Sequence, residues 1–165
     1  MRIALGCDHR GRTAMQHVRS ILEGQGHEVT HFGPDDDNEM YDYPDAGYPA
    51  ACSVSEGRVD RAILFCGSGV GMSIVANKVR GVRAALCHDE LTAEMSRRHN
   101  DANVLCLAAD LLGEALIQRI VDAWMSTPFE SGRHQRRVGK IIEYETQHEC
   151  GGEKGGPADS PDPSS

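Results

Sequence analysis

Arg61-Ala-Ile-Leu-Phe-Cys66-Gly67-Ser68-Gly69-Val70-Gly71-Met-Ser-Ile-Val-Ala-Asn-Lys78 joins two kinds of patterning in one stretch. Ala62 to Phe65 is a short apolar run with β-branched and aromatic content, the mark of a buried strand, and Met72 to Val79 places apolar residues at helical spacing. Between them stand Cys66 and three alternating glycines. The spacing predicts a strand that turns sharply into a helix through a loop in which Gly67, Gly69 and Gly71 take backbone angles closed to other residues. N–H groups at such a junction converge at a helix N-terminus and favour an anion there, either a phosphate or the oxyanion of a reaction intermediate. Cys66 stands at the edge of that spot. The loop taken alone also fits a turn that only lets a strand and a helix pack closely. Two other glycine motifs do not fit. The dinucleotide fingerprint needs Gly-x-Gly-x-x-Gly and an acidic residue about 20 positions on, and the nucleotide phosphate loop needs Gly-Lys-Ser/Thr, where Met72 and Ser73 stand.

Working outward, strand-like and helical stretches alternate along the chain. Arg2 to Cys7 reads as a first strand, with Asp8-His9-Arg10-Gly11 leaving its end, and Thr13 to Leu22 as a helix. His27 to Phe32 is a second strand. Gly33 to Glu39 is a loop with the acidic run Asp35-Asp36-Asp37, in which Met40 stands where a calcium loop requires glycine. A helix follows from Asp42-Tyr43-Pro44-Asp45 to near Gly57. Beyond the glycine loop come a strand from Val82 to Cys87, a helix from Glu90 to His99, a strand from Val104 to Leu107 and a helix from Leu111 to Met125. This alternation predicts an α/β fold, a Rossmann-like three-layer sandwich with a five-stranded parallel sheet, whose ligands bind beyond the C-terminal ends of the strands. Asp8, His9, Cys66, Ser68 and His88 fall at those ends.

A last helix is expected from the segment Ser131 to Lys140 to about Glu149, and its charges run against the helix dipole. Arg133, Arg136 and Arg137 stand at its positive end, and Glu143, Glu145 and Glu149 towards the other. Such a basic cluster suits either a bound anion or pairing with acidic groups elsewhere. Residues 1–149 read as one domain, and 150–165, mostly Gly, Pro, Ser and charge after Cys150, as a disordered tail.

Composition narrows the function classes. The chain has 165 residues with 17 Lys and Arg against 25 Asp and Glu, a net charge of −8. That balance argues against nucleic acid or an anionic membrane surface as a partner. No basic segment with a long apolar core follows Met1, so neither a signal peptide nor a membrane span is expected, and the cytoplasm is the default location. Six cysteines without a Cys-x-x-Cys pair suit reduced thiols and imply no disulfides. No ligand set with metal spacing is present.

Several motifs in order resemble the ribose-5-phosphate isomerase B family, which includes the galactose-6-phosphate isomerase subunits. They are Gly6-Cys7-Asp8-His9, Asp42-Tyr43-Pro44, Cys66-Gly67-Ser68-Gly69-Val70-Gly71 with Ala76-Asn77-Lys78, Ser96-Arg97-Arg98-His99-Asn100-Asp101 with Asn103-Val104, and Gly132-Arg133-His134 with Arg137-Val138. The resemblance spans roughly residues 1 to 145. It implies aldose–ketose isomerisation of ribose 5-phosphate and ribulose 5-phosphate through an enediolate, in the non-oxidative pentose phosphate pathway, with no metal or organic cofactor. It makes Cys66 the general base, a role that suits a thiol beside converging N–H groups, whose thiolate is favoured. It makes His99 the ring-opening acid/base, which the helix end alone would read as a dipole-compensating cation. Ser68 and Asp8 assist as catalytic groups. The matching substrate-binding positions are Asp8, His9, Tyr43, Gly67 to Gly71 (with Ser68, Gly69 and Val70), Asn100, Arg133 and Arg137. The family pocket forms between two subunits, so a homodimer or a dimer of dimers with a shared active site is implied.

Two positions depart from the family pattern. Ser68 stands where threonine is common and keeps the hydroxyl. Asp110, in Ala108-Ala109-Asp110, stands where a Gly-x-Arg triplet often supplies a phosphate contact. An acid does not bind a phosphate dianion, so this departure bears on which sugar is taken. Alternatives are the same chemistry on a hexose 6-phosphate or tetrose phosphate, a sugar-phosphate or nucleotide binding module without turnover, and, more remotely, a cysteine hydrolase.

Overall fold

The computed structural model describes residues 1–34, 36 and 40–147. Asp35 and Asp37 of the acidic run, the expected tail and Cys150 lie outside the described residues. Five strands, β1 (Arg2–Cys7), β2 (Glu28–Phe32), β3 (Arg61–Cys66), β4 (Ala84–Leu86) and β5 (Val104–Ala108), form one parallel sheet in the order β2-β1-β3-β5-β4. The helices are α1 (Arg12–Gly24), α2 (Tyr43–Ser55), α3 (Val70–Ala76), α4 (Glu90–Asn100), α5 (Glu114–Ser126) and α6 (Arg133–Gln147). The expected α/β architecture with a five-stranded parallel sheet is borne out.

Crossovers of one hand dictate where the helices lie. α1 and α4, which carry the chain in one direction across the sheet, share a face with α5 around Phe65, Leu107, Ile117, Ile120 and Trp124. α2 and α3, which carry it the other way, cover the opposite face through Ala46, Ala50, Ala51, Met72 and Ala76. β1 and β3 are therefore neighbours whose outgoing helices leave on opposite faces. That divergence opens a crevice at their C-terminal ends, where ligands of such sheets bind.

Several boundaries differ from the sequence expectation, for local reasons. β4 is three residues long rather than running from Val82 to Cys87. It is an edge strand, and Asn77 covers its free side, with Nδ2 donating to the Ala84 carbonyl at 2.9 Å while Oδ1 accepts from the Ala84 N–H at 2.9 Å. An asparagine side chain thus takes the place of a further strand. α5 begins at Glu114, not Leu111, because Leu111 and Leu112 turn back to the Ala108 carbonyl. α3 spans Val70–Ala76, starting and ending earlier than Met72 to Val79.

The start of α1 is pressed against β3. A Cβ on Gly11 would lie 2.6 Å from the Phe65 carbonyl oxygen and 2.7 Å from Phe65 Cβ. Gly11→Ala is therefore expected to destabilise the fold by about 1–3 kcal/mol, lowering the melting temperature by roughly 2–4 °C per kcal/mol. A thermal melt checks this, and an unchanged midpoint contradicts the close approach.

Candidate active site

The ladder continues one step past the strand ends and assembles the first group of candidate residues. The Asp8 N–H donates to the Phe65 carbonyl at 3.2 Å, the Ala109 N–H to that of Cys66 at 2.9 Å, and the Asp110 N–H to that of Gly67 at 3.1 Å. Asp8, the Cys66–Gly67 junction and Asp110 thus sit side by side at the C-terminal ends of β1, β3 and β5.

Cys66 is 4% exposed at the end of β3, and the Gly69 N–H donates to its Sγ at 3.1 Å. The Val70 N–H turns instead to Ser68 Oγ at 3.4 Å. The N–H groups therefore divide between the thiol and the Ser68 hydroxyl and do not all meet at one point. Of the three loop glycines only Gly69 has a left-handed backbone, with φ of +73°, which corrects the expectation of special angles at all three. Gly67 and Gly71 serve close approach: a Cβ on Gly71 would strike the Tyr43 ring at 2.7 Å, and one on Gly67 would meet Asp110 Oδ2 at 2.5 Å and Arg10 Nε at 2.9 Å. The same contacts put Tyr43, at the start of α2, against the loop. Buried thiols elsewhere are of another kind. Burial pushes the Cys7 thiol up to about 12, and it also raises Cys87 and Cys106, which fits structural roles.

Asp8 is buried, and its Oδ1 accepts from the Arg10 N–H at 2.9 Å and the Gly11 N–H at 2.8 Å. One carboxylate oxygen thus holds the turn into α1. His9 Nδ1 lies 3.0 Å from the Tyr41 carbonyl. A carbonyl only accepts, so Nδ1 carries the proton and Nε2 is the nitrogen left for a ligand.

The second group lies elsewhere. α4 starts after the C-terminal end of β4 and runs back along the sheet for 11 residues, about 16 Å. His99 and Asn100 at its end therefore lie at the opposite end of the sheet from Cys66. Asp101 fixes that helix end: its φ is +47°, and its carboxylate takes Arg97 and Arg83, each at 2.9 Å. His99 stacks on His134 of α6 with ring centroids 4.1 Å apart and planes 3° apart. Burial lowers the His134 pKa, and His99 and Arg133 lower it further. Arg133 Nε donates to His134 Nε2 at 3.2 Å, while Arg98 holds Glu130 at 3.0 Å. Arg133 and Arg137 are exposed, and among the described residues neither forms an ion pair, nor does Arg136. Pairing with acids among the described residues therefore does not explain the basic start of α6.

His99, Glu130 and His134 offer ligand atoms within 4.8 Å of one another. Their geometry does not suit one cation. The imidazoles lie face to face, so their in-plane lone pairs do not converge, and Arg133 and Arg98 already engage His134 and Glu130.

Sequence reading therefore named members of two groups that the folded chain keeps apart. Asp8, His9, Tyr43 and the loop from Cys66 to Gly71 come together, as do His99, Asn100, Arg133 and Arg137 near the α4–α6 contact. Among the described residues no hydrogen bond, ion pair or ring contact joins the two groups. Sequence reading missed His134 as the stacking partner of His99, although it stands in the quoted Gly132-Arg133-His134. It also missed Arg10, which makes an ion pair with Asp110 at 2.6 Å.

An α/β sheet with a cysteine–glycine loop at its switch point and a basic helix start defines a class, and the sequence comparisons identify it. The chain belongs to the Ribose/Galactose Isomerase family, whose pattern matches residues 3–141. Among individual relatives, it is 43% identical over 144 residues to ribose-5-phosphate isomerase B of Escherichia coli (strain K12), covering 87% of this chain and 96% of that protein. It is 40% identical over 145 residues to D-erythrulose-4-phosphate isomerase of Pectobacterium atrosepticum, covering 88% and 95%. A crystal structure of ribose-5-phosphate isomerase B from Mycoplasma genitalium with bound ribulose-5-phosphate superposes with a TM-score of 0.84 at 41% identity, covering 89% of this chain and 97% of that one. The resemblance drawn from the motifs is borne out.

Proposed function

We propose that the protein interconverts ribose 5-phosphate and ribulose 5-phosphate through an enediolate, in the non-oxidative pentose phosphate pathway. The observation that carries this reading is the Gly69 N–H donated to Cys66 Sγ at 3.1 Å, in a chain of this family. That bond orients the sulfur at the end of β3, and a cysteine removes a proton through its thiolate form. Cys66 takes the proton from C2 of the open-chain aldose and returns it to C1. Meanwhile one proton passes from O2 to O1, relayed by Ser68 and by the Asp8 oxygen that the turn leaves free. Loop N–H groups other than those of Gly69 and Val70 stabilise the enediolate oxygen, a charge present only along the reaction path. His99 opens the sugar ring, and His9, Asn100, Arg133 and Arg137 hold the hydroxyls and the phosphate.

The active unit is a homodimer, or a dimer of dimers, in which His99 and the arginines of one protomer serve Cys66 of its partner. The helix geometry supports this, since an 11-residue α4 separates His99 from Cys66 within a chain. Exposed Val70 and Ile74 on α3, beside the cysteine loop, and exposed Ile141, Ile142 and Tyr144 on α6 give the partner apolar surface to cover. No helix among the described residues is long and apolar enough to cross a membrane, and we place the enzyme in the cytoplasm.

A panel of four-, five- and six-carbon sugar phosphates, assayed in EDTA, tests the reading. Turnover of ribose 5-phosphate above the others is expected, undiminished by chelation. A preference for a tetrose or hexose phosphate would move the substrate and keep the chemistry. Activity lost to EDTA and restored by a divalent ion would overturn the cofactor-free mechanism.

A further inference from the structure

Asp110 is not a bare acid at the mouth of the site. Arg10 meets its Oδ2 through both Nε at 2.7 Å and Nη2 at 2.6 Å. The pair lies directly against Gly67, the residue after Cys66, where only the missing side chain leaves room for it. Arg10 is held at both ends, because its N–H donates to Asp8 Oδ1 at 2.9 Å. Its side chain is nevertheless 57% exposed, and among the described residues Nη1 has no partner. Both contacts with Asp110 use one carboxylate oxygen, so the outer edge of the fork keeps its donors.

We infer that Arg10 is a phosphate-contacting residue of the substrate site and that Asp110 is its positioning residue. This rests on the sugar-phosphate reading above and names a contact within the same site. A long arginine chain at a surface loses rotamer freedom when it binds, and a side chain already tethered to Asp110 and packed on Gly67 has lost much of that freedom beforehand. The free edge then offers the planar pair of N–H donors that matches a phosphate. Asp110 orients the fork and also moderates it, because its negative charge offsets that of Arg10 and repels a dianion. The pair thus gives directional recognition with little net positive charge.

The two roles of Asp110 make the test two-sided. Calorimetric titration of the full-length chain with inorganic phosphate, beside steady-state kinetics on ribose 5-phosphate, reads both. Arg10→Ala is expected to weaken phosphate binding about tenfold and raise KM to match, with kcat within about threefold. Asp110→Asn keeps an acceptor for Nε and removes the repelling charge, so phosphate is expected to bind several-fold tighter than to wild type. A pair that only braced the loop would make both substitutions weakening, and would show its effect in kcat. Unchanged phosphate affinity in Arg10→Ala, or weakened affinity in Asp110→Asn, would overturn the assignment. If the wild type binds phosphate with these responses and yet turns over no sugar phosphate, the Arg10 assignment stands and the isomerase reading fails. If the wild type isomerises and Arg10→Ala binds phosphate normally, only the assignment fails.

Discussion

Cys66→Ala is expected to lower kcat on ribose 5-phosphate by roughly 10²–10⁴-fold while leaving KM nearly unchanged. The sulfur sits at the end of β3 with the Gly69 N–H on it and makes no other hydrogen bond among the described residues, so its removal takes away a base and a single backbone hydrogen bond. The loop is held independently by the Ala109 and Asp110 N–H bonds to the Cys66 and Gly67 carbonyls. Binding should persist because the phosphate is gripped by other residues. Cys66→Ser separates chemistry from shape: a hydroxyl of similar form is a far weaker base at neutral pH, and the serine variant should be nearly as slow as the alanine one. Near-normal turnover in either would remove Cys66 from the proton transfer. The readout is initial rate against substrate concentration, with a thermal melt to verify folding.

His99→Asn should lower turnover of ribose 5-phosphate by a similar 10²–10⁴-fold, but for a different step. Ribose 5-phosphate is mostly a closed ring and needs an acid/base to open. Ribulose 5-phosphate, with its C5 oxygen esterified, cannot close a furanose and enters the site already open. The His99→Asn variant should therefore still exchange the C1 proton of ribulose 5-phosphate with deuterium in D2O, whereas Cys66→Ala should lose that exchange as well. Proton NMR distinguishes the two patterns. If His99→Asn loses exchange to the same extent as Cys66→Ala, the histidine serves the proton transfer or the loop and not ring opening. His134 supports the ring by stacking at 4.1 Å, so the asparagine variant leaves a gap at that contact, and a thermal melt again separates folding from chemistry.

Much of this was legible in the chain because the deciding signals are local. The switch from an apolar run to helical spacing across Cys66-Gly-Ser-Gly-Val-Gly71 located both β3 and α3, and the repeated alternation elsewhere defined the parallel sheet. What local patterning could not convey were distances between remote residues. The Arg10–Asp110 pair joins positions 100 residues apart, and neither residue announces the other. Asp110 read alone looked like a defect in an anion site, and its partner changes that meaning. The direction of each loop N–H depends on which glycine takes the left-handed angle, and spacing does not reveal that Gly69 alone does so. The longer span expected for β4 reflects apolar Val82 and Cys87 on either side of it, whereas Asn77 closes the sheet edge at Ala84. The separation of His99 from Cys66 follows from the length and direction of α4 once the sheet is known to be parallel.

That separation allows a direct measurement of the central claim, that one protomer's Cys66 and its partner's His99 together form a sugar-phosphate isomerase site. Cys66→Ala and His99→Asn, each nearly inactive on ribose 5-phosphate alone, would be co-expressed and the mixed assembly assayed. In a mixed two-fold dimer one of the two sites contains both native residues, so about a quarter of wild-type activity is expected from random pairing. A mixed assembly as inactive as its two parents would contradict the shared site and the roles assigned to both residues.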